Sequence, residues 1–540
     1  MILDNSFLNE YTGTALSPIL FLKRAVLSNG NDIAVIDGKQ RWTWHQYANR
    51  CEKIAISLQQ MGVSKGSVVS ALLPNIHELL ELHFAVPLSG GILNALSTRT
   101  DTATLNFVFE KLHPKILFVD KTYLSLLNNV SFNNPVKIIV VDNEIDNKNS
   151  PTVPILPAGC ESLPYESLLT AHPSKTLSFI QIDEQEAISI NSTSGTSGQP
   201  KLVVYSHRGA FLNAISNILD WDMPKHPIFL WTLPMFHCNG WCFPWTVAAR
   251  AGTHICIRKF DAEEAMLLMQ EHNVTHYCGA PIIHYALGKI TQKHGQHFGG
   301  RVYGLIAGAP PTEMMFSLLD EVGINATHVY GLTETYGPVV VCDNKQEWQV
   351  LPRSEKILKR MRQGIVSNLQ GQVSVIDRDN QSEVPFDGKT IGEVAIRGNI
   401  VAAYDPVRHV TPEITNQWFY TGDLAVVEPD GYIKIIDRKK DIIISGGENI
   451  SSLELENALS SYPGVLAAAI VAKPDPHWGE VPHAFIELDE NISITEQALD
   501  DYICTIVARY KRPKGYTFLT LPRNANGKVV KDQLRKRVKK

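Results

Sequence analysis

The sequence has no CxxC pair, no long apolar run and no marked excess of charge of either sign, and each absence removes a class of explanation. Its eight cysteines (Cys51, Cys160, Cys238, Cys242, Cys256, Cys278, Cys342, Cys504) are scattered along 540 residues. Disulfide scaffolds belong to small secreted domains, so this pattern points to a reducing compartment. His237, Cys238 and Cys242 are close enough in sequence to suggest metal ligands, but no second ligand pair at zinc spacing follows them. No stretch approaches the roughly 18 apolar residues that a membrane span requires. The opening MILDNSFLNEYTG carries Asp4 and Glu10 and lacks the basic lead and apolar core of a signal peptide. The final Val-Lys-Lys is not a peroxisomal address, which leaves the cytoplasm as the expected location. A net charge of −5 gives no electrostatic reason for a nucleic-acid partner. The basic stretch LRKRVKK at 534–540 reads as a solvated helix end, with contact to a membrane surface as the lesser alternative.

What is present describes a globular protein: 44% hydrophobic and 19% charged residues. The chain is too long for one core, so two or more domains are expected. Short β-rich runs alternate with amphipathic helices. Thr43 and Gln46 have capping-box spacing. The helix after them places Tyr47, Cys51, Ile54, Leu58 and Met61 on one face and stops at Gly62. Strands are expected at 68–73, 115–119, 136–141 and 187–190, and Asp261 with Glu264 opens another helix, which runs into a strand at 274–278. The alternation predicts α/β layers on largely parallel sheet. After Asp430-Gly431 the character changes: a charged knot at 437–441 leads to Gly446-Gly447, and Ser451 with Glu454 starts a fresh helix. The boundary is placed at about 436–440, with domains at 1–436 and 437–540.

One run stands apart, NSTSGTSGQPK at 191–201. It is not a Walker A loop, because Pro200 precedes Lys201 and Leu202 follows. The chemistry available is similar all the same. Gly195 and Gly198 let backbone N–H groups approach a ligand, Ser192, Thr193, Ser194, Thr196 and Ser197 add hydroxyls, and Lys201 adds a mobile positive charge. Such a loop after a strand suits a polyphosphate, although many serine-rich loops bind nothing.

Four further stretches occur in order: HVYGLTET (328–335), YTGDL (420–424), DRKKDIIISGGENI (437–450) and PRNANGK (522–528). With the run at 191–201 they resemble the acyl-adenylate-forming superfamily of acyl-CoA synthetases, coumarate–CoA ligases, adenylation domains and luciferases, over about residues 17 to 535. PMFHCNGWCFPW (234–245) and SGGENISSLELEN (445–457) look most like medium-chain acyl-activating enzymes. The resemblance implies a large N-terminal domain of layered α/β subdomains and a small mobile α+β C-terminal domain. It implies ATP, Mg²⁺ and coenzyme A as cofactors and co-substrates, a carboxylic acid as substrate, and no nucleic acid; a homodimer is one oligomeric state left open.

The same resemblance assigns roles. The run at 191–201 would hold pyrophosphate, with Thr196 and Glu334 contacting magnesium. Tyr330 and Gly331 would lie along adenine opposite Gly308, Ala309 and Pro310. Thr333 would touch the α-phosphate, and Asp423 the ribose hydroxyls, with Arg438 near ribose or phosphate. Lys528 would be the catalytic lysine and Lys440 the hinge, with Gly446-Gly447 lining the pantetheine channel. His237 and Trp241 are candidates for the wall between acyl pocket and CoA channel; for both, ordinary core packing is the competing reading. An Asp423–Arg438 interdomain salt bridge stays open as a structural alternative.

Three positions depart from the family pattern: Leu202 after the lysine, Ala402-Ala403-Tyr404 before the TGD segment, and Ile444 with Gly446 where coumarate-type ligases carry lysines. The expectation is an acid–CoA ligase for an apolar short- to medium-chain acid. The rivals are an adenylating enzyme loading a carrier protein, a luciferase-like oxygenase and a non-catalytic paralogue.

Overall fold

The computed structural model describes residues 14–142, 160–170, 182–193, 200–402, 414–415, 417–489, 492–523 and 528–538. Local sequence signals act where they were expected. In the helix Trp44–Gln60 the Thr43 hydroxyl accepts the Gln46 amide at 3.3 Å and Gln46 accepts the Thr43 amide at 2.9 Å. Tyr47, Cys51, Ile54 and Leu58 from this helix are fully buried, and Gly62 lies just beyond its end at φ +85°. The strand Val68–Leu72 is buried at every residue, as a central parallel strand covered on both faces must be.

Two large sheets organise residues 33–366. The seven-stranded one carries Val68–Leu72 at its centre. Parallel to it run Ile92–Ala95, Ile116–Asp120, Lys137–Val141, Glu161–Pro164 and Ala187–Thr193, with Lys201–Ser206 antiparallel at one edge. The nine-stranded sheet has six parallel strands: Ile33–Asp37, Ile228–Leu230, Thr253–Cys256, His276–Gly279, Val302–Ile306 and Ile324–Leu332. One apolar core, which includes Trp44, Tyr47, Phe84, Trp231, Trp245 and Tyr336, joins the two sheets.

The expectation of largely parallel sheet holds to Ile324–Leu332; Gly337–Val341 and Ile365–Val366 add antiparallel strands at that edge. Gly371–Asp377, Gly392–Gly398, Trp418–Val427 and Ile433–Arg438 form an antiparallel sheet. The reason is connection length, since a five-residue link such as 428–432 is far too short for a parallel crossover. The strand Ile433–Arg438 still belongs to this sheet at its last residue, where Arg438 pairs with Asp423. The next sheet starts at Ile443 and has its own core. The helices Ser452–Ser460 and Glu496–Ile506 cover one face with Leu455, Leu459, Leu499 and Ile503. The helix Lys531–Val538 covers the other with Leu534. Among the described residues, no helix is long and apolar enough to cross a membrane.

Candidate active site

In parallel sheets, ligands gather beyond the carboxyl ends of the strands, and the chain sends its polar signals there. Ala187–Thr193 and Lys201–Ser206 form an antiparallel pair in which Ser192 faces Leu202 and Thr193 faces Lys201, so the described ends of the run at 191–201 lie side by side on neighbouring strands. Lys201 is exposed there, whereas Leu202 is buried in the core beside Val204. The departure at 202 is thus an inward residue of a strand. Ser194, Gly195, Thr196, Ser197 and Gly198 lie outside the described residues, as does the side chain of Thr193.

Val302–Ile306 delivers Gly308, Ala309 and Pro310. Gly308 has φ +92°, and a Cβ there would stand 3.6 Å from Lys528 Cε, so the lysine stem passes over this glycine. Ile324–Leu332 delivers Tyr330, Gly331 and then Thr333. The strand is irregular between Tyr330 and Gly331, and a Cβ on Gly331 would lie 1.8 Å from the Gly337 carbonyl oxygen. Backbone cannot yield that far. Gly331→Ala is expected to cost about 3 kcal/mol or more of stability as the hairpin is forced apart. Chemical denaturation checks this, and a midpoint within error of the parent contradicts it.

Thr333 is fixed from below by a pair of tyrosines. Tyr205 donates its hydroxyl to the Thr333 carbonyl at 2.6 Å and stacks on Tyr336 at 3.9 Å, while the Tyr336 oxygen accepts the Ser206 amide at 2.6 Å. The backbone carbonyl of Glu334 accepts the Ala402 amide at 2.7 Å. On the antiparallel sheet, Asp423 is almost fully buried; it accepts the Tyr330 hydroxyl at 2.5 Å and Arg438 Nε at 3.1 Å. Burial first, and then the Asp423 carboxylate, push the Tyr330 phenol well above its ordinary range, so it stays a donor.

Lys528 enters this space from the C-terminal domain. Burial and then the Arg438 charge lower its pKa below the ordinary lysine value, while Asp423, Cys238 and Glu334 act in the opposite direction. His237 feels the same ammonium: burial first, and Lys528 second, push its imidazole down to about 3. Lys528, Gly308, Glu334, Asp423, Arg438 and His237 therefore share one neighbourhood. Lys440, Gly446 and Gly447 lie elsewhere. Lys440 is exposed, two residues past the last paired strand residue. Gly446 and Gly447, at φ +59° and +89°, form the two-residue turn between Ile443–Ser445 and Glu448–Ile450, a geometry that glycine suits best. Gly446 packs under the half-exposed Trp478 of the same domain, and nothing lies within 4 Å of a Cβ on Gly447.

The segment 238–242 holds a feature that periodicity does not reveal. Cys238, Asn239, Gly240, Trp241 and Cys242 have φ of 52°, 50°, 55°, 54° and 66°, a left-handed turn of five residues. Each non-glycine residue there costs roughly 1 kcal/mol, so tertiary contacts must hold it. Asn239 Nδ2 donates to Ser189 Oγ at 2.5 Å, its amide donates to Asn191 Oδ1 at 3.3 Å, and the Trp241 carbonyl accepts Asn217 Nδ2 at 2.9 Å. The Cys238 thiol reaches Thr333 Oγ1 at 3.6 Å. The turn thus ties the candidate acyl wall to the strand before 191–201 and to Thr333. Asn239-Gly240, a dipeptide that tolerates left-handed backbone, was the available signal. Burial raises the thiols of Cys238, to about 11, and of Cys242, so both are neutral in the metal-free protein. Among the described residues, the metal-type side chains that do converge are Asp37, His77 and Glu78. There His77 lies 2.8 Å from Asp37 and 3.2 Å from Glu78, and Asp37 also accepts the His77 amide at the start of the helix His77–Leu88.

Against known proteins, a family model described as AMP-binding enzyme matches residues 22–404, and one described as AMP-binding enzyme C-terminal domain matches 454–528. The peroxisomal butyrate–CoA ligase of Arabidopsis thaliana is 39% identical over 99% of this chain and 95% of its own length. The peroxisomal benzoate–CoA ligase of the same plant is 40% identical over the same shares. The o-succinylbenzoate CoA synthetase of Bacillus subtilis, solved with its acyl-adenylate intermediate, superposes with a TM-score of 0.77 at 23% identity, covering 95% of this chain and 97% of that one. The relatives' compartment overturns the expectation of a cytoplasmic location. That expectation rested on finding no address, and free thiols fit any reducing interior.

Proposed function

The chain belongs to the AMP-binding enzyme family, and from that premise we propose an ATP-dependent acid–CoA ligase acting on a short- to medium-chain carboxylic acid. The observation that carries this is the meeting of Lys528 with Gly308, Glu334, Asp423 and Arg438. Butyrate and benzoate are the acids named for the relatives, and a small apolar acid fits both. Their compartment supports a peroxisomal location for this chain as well.

The reaction accounts for the residue types. A carboxylate has no good leaving group, so it first attacks the α-phosphate of ATP, forming acyl-AMP and releasing pyrophosphate. CoA thiol then displaces AMP. The first step brings an anion to a polyanion and calls for fixed positive charge. The Lys528 ammonium bridges the incoming carboxylate and the α-phosphate, while Lys201 and the hydroxyls at 192–197 take the departing pyrophosphate. Thr333 orients the α-phosphate. The two Asp423 oxygens have about four acceptor positions, of which Tyr330 and Arg438 use two, leaving the others for the ribose hydroxyls. Tyr330 and Gly331 face adenine across from Gly308, Ala309 and Pro310. Thr196 and Glu334 are hard oxygen donors of the kind magnesium takes, and would hold it. When bound, Mg²⁺ neutralises phosphate charge. His237, held neutral, and Trp241 form the wall beside the acid without adding charge.

For the second step we place the hinge at Lys440, so that the C-terminal domain turns, withdraws Lys528 and presents the Gly446-Gly447 turn to the pantetheine arm. Lys440→Pro, with φ locked, is expected to slow thioester formation from supplied acyl-AMP by about tenfold or more while sparing ATP–pyrophosphate exchange. An unchanged second step moves the hinge elsewhere. The overall assignment is tested by offering straight-chain and aromatic acids of graded size and measuring pyrophosphate release with and without CoA. CoA thioester formed from free CoA supports the ligase, and acyl-AMP formation with no thioester supports a carrier-protein acceptor instead.

A further inference from the structure

The strand Ile433–Arg438 carries two consecutive charged residues, and a strand sends neighbours to opposite faces. Arg438 reaches Asp423 in the nucleotide site. Asp437, also buried, points the other way and meets the start of the helix Ser452–Ser460 in the C-terminal domain. Its Oδ2 accepts the Ser452 amide at 2.5 Å, the Ser452 hydroxyl at 2.7 Å, the Leu453 amide at 3.2 Å and the Ser451 hydroxyl at 3.4 Å. A carboxylate against unpaired helix N–H groups is a favourable charge–dipole contact. Contact continues beyond it. Lys531 Nζ donates to Ser452 Oγ at 2.7 Å and pairs with Glu456 at 2.6 Å, and Lys531 opens the last helix three residues after Lys528.

We propose that Asp437 is an orientation latch, which holds the C-terminal domain in the posture that places Lys528 in the nucleotide site and lets go when the domain turns. The inference rests on the reading of Lys440 as hinge and Lys528 as the adenylation lysine. Asp437 precedes that hinge and is paired into the N-terminal antiparallel sheet opposite Leu424, whereas Ser452 and Lys531 follow it. Turning the backbone at 440 must separate the carboxylate from the helix. Both partners then become accessible to water, which makes the contact reversible. Asp437 is a positioning residue; it acts on Lys528 through Ser452 and Lys531 and touches no substrate.

The test uses the full-length protein with Asp437→Ala, Asp437→Asn and Ser452→Ala. A straight-chain acid from the graded series and its synthetic acyl-AMP serve as substrates for the two half-reactions. Asp437→Ala is expected to lower ATP–pyrophosphate exchange about tenfold, with Asp437→Asn and Ser452→Ala intermediate, and to change thioester formation from acyl-AMP less than about twofold. Equal loss in both half-reactions, or no loss in either, overturns the latch. Spin labels on the exposed Cys504 and on a cysteine introduced at exposed Leu219 report the domain separation independently of activity. Asp437→Ala is expected to shift or broaden that distance in the resting protein, and an unchanged distribution overturns the proposal. Should Asp437→Ala fold poorly, Ser452→Ala, which keeps the carboxylate, decides by the same readouts. Absence of exchange by the unsubstituted protein with every acid, while the label distance still responds to Asp437→Ala, faults the functional reading and leaves the latch standing.

Discussion

Lys528→Ala is expected to lower ATP–pyrophosphate exchange by about 10²–10³-fold, the loss that follows removal of one preorganised group facing transition-state charge, ~3–4 kcal/mol. Thioester formation from supplied acyl-AMP should be largely spared, because the proposed domain turn withdraws the lysine in that step. Comparable loss of both half-reactions would refute the two-posture reading. The ionisation of this lysine supplies a second readout. Its pKa lies below the ordinary value because burial and Arg438 disfavour the charged form. The working form is the ammonium, so kcat/KM for exchange, which reports the free enzyme, declines as pH rises through that lowered value, and its alkaline limb lies below the usual lysine range of about 10.5. Lys528→Arg, slower at neutral pH, should lack the limb because a guanidinium does not deprotonate there. A limb that persists in the arginine variant assigns it to another group.

Asp423→Ala is expected to have the second largest effect and a different signature. The buried carboxylate is the acceptor for both Tyr330 and Arg438, so its removal strands a half-buried phenol and leaves Arg438 without this ion pair. An unsatisfied buried polar group costs ~1–3 kcal/mol, which thermal denaturation should show. Loss of the ribose acceptor as well should reduce kcat/KM for ATP by about 10²-fold. Because the AMP moiety stays bound through both half-reactions, thioester formation from acyl-AMP must fall too, unlike in Lys528→Ala. A variant with normal ATP dependence and lowered stability would reduce Asp423 to the salt bridge left open as a structural alternative.

Much of the site could be read before folding because its parts are local. YGLTE, TGD and NANGK each place one chemical group at one spacing. The flanking glycines have local reasons too: Gly331 has no room for a Cβ and Gly308 takes a positive φ. Asp437 is visible in the sequence only as part of a charged knot, since nothing in DRKKD separates the residue that pairs with Asp423 from the one that meets the Ser452 helix. Strand alternation makes that division, and it needed the register of Asp423 with Arg438. The left-handed turn at 238–242 is not legible in its own segment, because its conformation depends on Ser189, Asn191 and Asn217, residues outside it. Location is not legible for another reason: an address is read by a receptor and leaves no trace in core packing.

The amino-acid order was enough for helix starts, buried strands, the break in character near 436–440 and the types of group a nucleotide would meet. Caps, pleats and turns are made by residues a few positions apart, and their hydrogen bonds do not depend on the rest of the chain. Convergence was decided in three dimensions. Lys528 over Gly308 and Tyr330 against Asp423 join segments far apart in the chain, and Asp437 under the Ser452 helix, though only 15 residues apart, joins elements packed on different sheets. Such contacts form only after the packing of the sheets has met the entropy of ordering the loops between them, and that balance belongs to the whole fold.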